Sequence, residues 1–333
     1  MTVPDPNDKL PGAVQSSWRS FIERYEPLRP DLYRYCRQLT RSPWDAEDLT
    51  QDALARAFVT LAQLGESPPN PRAWLFRVAS NLWIDRVRKR RREQPLGADA
   101  EEGPTSTRPD AQSAREAAGT LLGQLSPQER AAVVLKDVFE LSLEETAEVL
   151  ATTVGAIKAA LSRARGKLVE PQPEPTHAPV PSALTAFADA FNAGDLERLA
   201  ALLLDSASVE VVSATTLYGR EAAKRVLDGM LFGVQRMVHA TPETWPGADY
   251  TRDVLERAPR VEVRAHRDGW VLLHWYAHRD GEAVRALTRL SLDGDRVALL
   301  SNYFYNPDLV REVCEELGVP SRSNGYRWCH ADR

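Results

Sequence analysis

Cysteine is scarce in this chain. Its 333 residues hold three, Cys36, Cys314 and Cys329, widely spaced and odd in number. That excludes a disulfide framework, and none has the short spacing of a metal-ligand pair, so a reduced protein is expected. Long apolar runs are missing too: no stretch approaches the roughly 20 residues that span a bilayer. The opening residues, MTVPDPNDKLPGAV, lack the basic-then-apolar pattern of a secretory signal. A cytoplasmic protein with no membrane partner is expected. An excess of positive charge is also absent. The net charge is −5, which by itself argues against a nucleic-acid partner. The average conceals a segregation, however. Asn70 to Arg92 carries eight Arg or Lys against one acid, Asp85, whereas acids slightly outnumber bases from Ser182 onward. A basic block in an acidic chain points to a polyanion partner for that block alone.

What is present is organised around Leu141 to Leu168. Ser142 and Glu145 have the spacing of a capping box, in which hydroxyl and carboxylate each satisfy a free backbone N–H at a helix start. Ala147, Val149 and Leu150 give that helix its apolar positions. Thr153 can cap a second helix, in which Val154, Ile157, Leu161, Ala164 and Leu168 recur every three or four residues as one buried stripe. Lys158, Ser162, Arg163 and Arg165 lie off the stripe. An apolar back and a polar, basic front suit a helix that enters a DNA major groove. A plain helical hairpin with a solvated basic face has the same pattern.

Length predicts two or three domains. Residues 1–15 are polar and expected to be disordered. Trp18 to Leu39 reads as helix, interrupted by Pro27 and Pro30. Ser42-Pro43 starts a helix with Asp45, Glu47 and Asp48 in its first turn, where the dipole favours acids, and Asp52 shares the outer face. After a loop at Gly65–Pro71, one long helix runs from about Arg72 to Arg92. Its aromatics sit beside arginines, which are the ingredients for stacking unpaired bases and tracking phosphates. Gln94 to Gln112 reads as a linker. Ala114 to Leu125 is helical, and Ser126, Pro127 and Glu129 start another helix that runs to about Phe139. Glu170 to Pro181 is a Pro-rich spacer.

Beyond Ser182 the pattern changes. A helix is predicted at 182–204, another at 221–233 and a closing one at Pro307 to Leu317. Strands are predicted at Ser208–Val212, Arg260–His266, Trp270–His278, Val284–Leu292 and Arg296–Phe304. Asp268-Gly269, Asp280-Gly281 and Asp293-Gly294 supply hairpin turns. Helices with a strand meander predict an α+β domain, its helices on one face of a curved sheet.

Two helical modules joined by a linker, with a basic aromatic helix in the first, resemble the sigma-70 family of bacterial transcription initiation factors, in its small extracytoplasmic-function group. DAEDLTQDALARAF is similar to the family's second region, and RVASNLWIDRVRKRRR to its promoter-melting helix, with Asn81, Asp85 and Arg88 at hallmark positions. LSPQERAAVVLKDVFELSLEETAEVLATTVGAIKAALSRARGKL is similar to the fourth region, whose helix-turn-helix reads the −35 element. The resemblance implies two partners, RNA polymerase core enzyme and promoter DNA. It implies core-polymerase contacts at Asp45, Glu47, Asp48 and Asp52. Contacts to the −10 DNA fall to Trp74, Asn81, Trp83, Arg86, Arg88, Lys89, Arg90, Arg91 and Arg92, with Phe76 a further aromatic candidate. Contacts to the −35 DNA fall to Thr153, Lys158, Ser162, Arg163 and Arg165. The family often has a polar or basic residue where this chain has Ala160, which implies weaker base readout on that face.

The tail resembles a second family, the SnoaL-like domains with a nuclear-transport-factor-like cone fold, through FADAFNAGDLERLAALL, YGREAAKRVL and the strand meander. NPDLVREVCEELG is similar to a signature of sigma factors with such tails, although one subgroup's glycine-rich signature is absent. The implied fold is two all-α modules, the second with a helix-turn-helix, followed by an α+β cone domain. The implied boundaries are 1–15 disordered, 16–92 region 2, 93–112 linker, 113–169 region 4, 170–181 linker and 182–333 tail. The tail is expected to regulate in cis, without need of a separate anti-sigma factor, through interdomain contacts at Asn306, Asp308 and Leu309. A helix start at Asn306-Pro307 explains the same residues. A cone of this type encloses an apolar cavity, so a small-molecule ligand is one candidate partner of the tail. No cofactor, metal or catalytic residue is expected. Two rivals stand: a DNA-binding repressor or activator with a ligand-sensing tail, and a tail with isomerase or cyclase activity using His239, His274, Tyr276, Arg289 and Tyr303. His274 shares a strand face with Trp270, Leu272 and Tyr276, the pattern of a packed core histidine.

Overall fold

The computed structural model of this chain describes residues 20–21, 24–64, 68–93, 125–165, 179–239, 241, 253–267 and 269–326. The 1–15, 93–112 and 170–181 segments lie outside the described residues in whole or most part, as do the helix expected over Ala114 to Leu125 and the first three residues of the Gly65–Pro71 loop. The chain divides into two compact units, Met1–Glu174 and Pro175–Arg333.

The described residues of the first unit form helices joined by short turns. A short turn at Glu26–Leu28 leads into α1 (Arg29–Thr40), α2 (Pro43–Leu64) and α3 (Pro71–Glu93). Then come α4 (Pro127–Val133), which runs on through a wide π turn at Val134–Val138, α5 (Leu143–Val149) and α6 (Val154–Arg165). Local chemistry sets the starts. Ser42 Oγ accepts from the Asp45 N–H at 3.3 Å, and Asn70 Oδ1 accepts from that of Ala73 at 3.1 Å. Ser126 with Glu129 and Ser142 with Glu145 form complete capping boxes. The core of α1–α3 buries Leu32, Tyr35, Cys36, Leu39, Leu49, Ala53, Leu75, Phe76 and Ala79. Tyr35 stacks on Phe76 at 4.7 Å and bonds the Ser80 hydroxyl at 2.7 Å. A second, smaller core joins Ala132, Ala147, Ile157, Ala160 and Leu161.

The second unit opens with α7 (Ser182–Asn192) and α8 (Leu196–Ala201). The single helix expected over 182–204 is therefore broken. Gly194 takes a left-handed φ of 66°, Asp195 caps α8 at 2.9 Å, and Leu203 already belongs to a strand. The sheet contains β1 (Leu203–Val211), β2 (Thr215–Tyr218), β3 (Arg260–His266), β4 (Gly269–His278), β5 (Gly281–Asp293) and β6 (Arg296–Tyr303). Its order is β2-β1-β6-β5-β4-β3, with β1 parallel to β6 and the other pairs antiparallel. Helices α9 (Arg220–Phe232), α10 (Val234–Val238) and α11 (Pro307–Leu317) complete the unit. Among the described residues no helix is long and apolar enough to cross a membrane.

One core packs α7–α9 on the sheet through Phe187, Phe191, Leu199, Leu227, Val261, Leu272 and Leu300. The helices are not all on that face. Val261 and Val263 of β3 point into this core, whereas His266, from the alternate set of side chains, meets Glu316 of α11 at 2.7 Å. With a side-chain period of two, α11 covers the opposite face. Arg285 is the extra residue of a bulge, where pairing steps from His274↔Ala286 to Trp275↔Val284. It is fully buried, and Asn324 Oδ1 and the Ser323 carbonyl accept from its guanidinium at 2.7 and 2.8 Å. The segment that follows α11 is thereby strapped to the sheet.

Glu316 also pairs with Arg267. Its bonds to His266 and Arg267 outweigh burial and hold its carboxyl down at about 2. A depressed carboxylate contributes stability above its unfolded pKa, near 4.5, and loses it as pH falls toward 2. The tail of the wild type is expected to lose stability over that window faster than Glu316→Gln. Denaturant midpoints of the two proteins at pH 6 and pH 3 check it, and parallel losses would contradict it.

Candidate nucleic-acid interface

Helix α3 sorts its residues by face. Asn81, Asp85 and Arg88 are all exposed and, at spacings of four and three, form one row along the helix. Lys89, Arg90 and Arg92 are exposed beyond them. Arg86 is half-buried and paired with Asp52 of α2, and Arg88 lies 3.7 Å from Asp85. The side chain of Arg91 lies outside the described residues. The aromatics divide differently. Phe76 is a core residue, 1% exposed, so it offers no ring to a base. Trp74 is half-buried, its ring 6.2 Å from that of Tyr25. Trp83 is buried, with the Arg130 guanidinium 5.2 Å over its ring.

The acidic face of α2 is narrower than its sequence suggests. Asp48 and Asp52 are exposed and Asp45 is partly so. Glu47 is not on the surface: it is wholly buried and ion-paired with the equally buried Arg29 of α1. A carboxylate inside the helical core cannot meet a partner, and its role there is to neutralise Arg29.

In the second module Thr153 Oγ1 accepts from the Ala156 N–H at 3.2 Å and so starts α6. Lys158, Ser162 and Arg163 are exposed along the helix, while Ile157, Leu161 and Ala164 are buried. The side chain of Arg165 is outside the described residues. Arg163 reaches the buried Glu129 of α4 at 3.0 Å, which ties the reading helix to its support. Ala160 is buried in the module core beside Ile157 and Leu161. It is not on the reading face, so the weaker base readout expected from it loses its basis.

The tail residues singled out for interdomain contact are inside their own unit. Leu309 is in the core. Asp308 is buried, paired with Arg311 at 3.0 Å and bonded by the Tyr326 hydroxyl. Asn306 is buried and donates to Ser213 Oγ at 3.1 Å. It stands at the start of α11 without capping it through its side chain. These contacts explain the three residues within the tail.

The tail's acid–base candidates do not converge. His274 is buried against Phe191, its Nε2 is 2.8 Å from the Thr288 hydroxyl, and burial pushes its pKa down to about 3. Arg289 and Tyr303 alternate onto the other face of the sheet from Thr288 and Asn302. His239 is exposed. The residue that sequence reasoning missed is Arg130. Burial and the neighbouring Arg41 lower its pKa to about 10, and it bridges the two modules. A lone arginine in a helix gives no local sign of such a partner.

A basic helix with an exposed polar row, followed by a capped helix-turn-helix, is an arrangement suited to a DNA-binding factor. Comparison with known proteins sets its class. Residues 24–93 match the model for Sigma-70 region 2, and residues 115–168 that for Sigma-70, region 4. The ECF RNA polymerase sigma factor SigJ of Mycobacterium tuberculosis is 31% identical over 296 residues, covering 76% of this chain and 90% of SigJ. That share exceeds what the two helical modules supply, so the likeness runs into the tail. The RNA polymerase sigma-E factor of Streptomyces coelicolor is 34% identical over 150 residues, 45% of this chain and 84% of that one. The SigJ crystal structure aligns with 23% identity and a TM-score of 0.31, covering 86% of this chain and 97% of that chain. The chain belongs to the extracytoplasmic-function family of RNA polymerase sigma factors. Its function is that of an alternative sigma factor, in promoter recognition and transcription initiation.

Proposed function

We propose that the work is divided among three parts, over 16–92, 113–169 and 182–333. Exposed Asp48 and Asp52, with Asp45, dock on RNA polymerase core enzyme. Asn81, Trp74 and the arginines of α3 hold the −10 DNA. The exposed side of α6, with Thr153, Lys158, Ser162 and Arg163, meets the −35 DNA. The observation that carries this reading is the exposed row Asn81–Asp85–Arg88, which continues into a basic helix end. Rows of this kind put amide and guanidinium donors where bases and phosphates can accept them.

The tail acts in cis. It is an acidic domain tethered to a module whose last helix carries Lys158, Arg163 and Arg165 and no acid, so its effective concentration is high without a tight interface. Nothing supports the further expectation that a separate anti-sigma protein is dispensable, and it is not part of the proposal.

The test is in vitro transcription with bacterial core polymerase on a promoter from upstream of the chain's own gene. The full-length protein is compared with a truncation ending at Val169. Transcript is expected from at least one form, and the difference gives the sign of the tail's control. Equal transcript from both removes the regulatory role. Silence, with no binding to core polymerase by either, removes the assignment of parts.

A further inference from the structure

One buried carboxylate serves two helices of the second module. Glu129 lies in the first turn of α4, and its side chain is only 4% exposed. Its Oε2 accepts from the Ser126 N–H at 3.0 Å and completes the capping box. Its Oε1 accepts from Arg163 Nε at 3.0 Å, so the other oxygen is committed to α6. The Arg163 side chain is 60% exposed. A guanidinium carries its N–H donors in one rigid plane. Bonding through Nε fixes that plane and leaves both terminal nitrogens of Arg163 available.

The packing beneath α6 does little to fix its rotation. In its small core Ala132, Ala147 and Ala160 join Ile157 and Leu161. A helix face of alanines has shallow ridges and grooves, so it interlocks weakly. Thr153 pins the start of α6, and the Glu129–Arg163 pair pins it about three turns later. Arg163 also stands at the border of the exposed face. Ala160 and Ala164 beside it are buried, whereas Lys158 and Ser162 are exposed. Lys158 and Arg163 are about 140° apart around the helix, so they flank the exposed face and do not share a row. A helix in a major groove has a phosphate strand on either side, and cations at its flanks meet phosphate while the residues between them face base edges.

We propose that Glu129 is a positioning residue for −35 recognition: it touches no DNA, and it holds Arg163 so that the terminal N–H groups meet a phosphate on one side of the groove. The proposal rests on the −35 reading of α6 and names the group that orients its outer cation. Arginine suits the task because one nitrogen can hold the carboxylate while the others face outward. A lysine ammonium concentrates its donors at one point and has no fixed plane to set.

The test is a titration of promoter with holoenzyme carrying each variant. One template is the promoter from upstream of the chain's own gene, and the other is truncated just downstream of the −35 element. Glu129→Gln keeps an acceptor for the Ser126 N–H, since glutamine also serves in a capping box, but it loses the charge that holds Arg163. It is expected to weaken affinity for the intact promoter about fivefold. It is also expected to flatten the slope of log affinity against log salt by up to about 0.9, and to change nothing on the truncated template. In an Arg163→Ala background the same substitution is expected to cost nothing further, because the two residues act as one unit. Ser126→Ala weakens the same helix start and leaves the pair intact, so it controls for folding and is expected to leave the slope unchanged. Equal losses from Glu129→Gln with and without Arg163, or a match between Ser126→Ala and Glu129→Gln in both affinity and slope, would return Glu129 to the helix start and overturn the proposal. Tighter binding by Glu129→Gln would overturn it as well, because the carboxylate would then be withholding Arg163 from the DNA. So would an unchanged Glu129→Gln where Arg163→Ala weakens binding, and in that case the −35 reading would stand. An Arg163→Ala variant that binds the intact promoter like the wild type would remove the −35 role of Arg163 itself, and the positioning role with it.

Discussion

Arg29→Ala is expected to destabilise the α1–α2 pair by about 3–5 kcal/mol, one of the largest effects available in the helical unit. The Arg29 and Glu47 side chains are 4% and 0% exposed. Glu47 Oε1 also accepts from Gln51 Nε2 at 3.1 Å. Removing the guanidinium takes from a buried carboxylate the cation that offsets its desolvation, and breaking a buried pair in this way costs more than the intact pair contributes. The double replacement Arg29→Met with Glu47→Leu removes both charges and keeps the volume, so it is expected to be near neutral. Hydrogen exchange of the α1 and α2 amides measures both variants locally, without assuming that the two units unfold together. A loss below about 1 kcal/mol for the single variant would mean that water reaches the pair. The same logic separates Glu47 from its neighbours. Glu47→Gln is a core lesion, whereas Asp48→Asn and Asp52→Asn change a surface.

What could be read from the sequence is what is decided within a few residues. Ser126 with Glu129 and Ser142 with Glu145 needed only an i, i+3 spacing to announce two capping boxes, and the apolar stripe of α6 needed only its period. Asp280-Gly281 and Asp293-Gly294 marked turns because glycine is at ease with positive φ there, 136° and 59°. What could not be read depends on partners far along the chain. Glu47 has the local signature of a dipole-stabilising surface acid, and it is buried because Arg29 comes in from the neighbouring helix. Ala160 looked like a gap in a reading face because its rotation about the helix is set by Ile157 and Leu161 packing on Ala132. Strand β2, Thr215–Tyr218, escaped notice because an edge strand of four mostly exposed residues has no apolar alternation. Asn306, Asp308 and Leu309 carry a family signature, yet Ser213, Arg311 and Tyr326 claim the polar two and the core takes the third. Strand β2 apart, the type of element followed from local chemistry and the orientation from packing.

Replacing Arg88, Lys89, Arg90 and Arg92 with glutamine is expected to change the salt dependence of promoter binding more than any single contact could. Each phosphate neutralised on duplex DNA contributes about −0.9 to the slope of log affinity against log salt. Four such contacts contribute about −3.6, so the advantage of the wild type over the variant should shrink roughly 150-fold between 50 and 200 mM salt. The measurement is a titration of promoter with holoenzyme carrying either protein, over that range. The rival explanation of these residues is local: a cluster of cations at the C-terminal end of α3 complements the helix dipole and is otherwise solvated. The two accounts agree that the residues are exposed, and Arg88 already has Asp85 within 3.7 Å. They differ in what salt does. Dipole complementation acts on the helix itself, so it would leave the slope unchanged and show as a small loss of helicity near Glu93. Counterion release acts on the complex and disappears as salt rises. A flatter slope with an unchanged helix therefore assigns the basic end of α3 to the DNA, and an unchanged slope returns it to the helix.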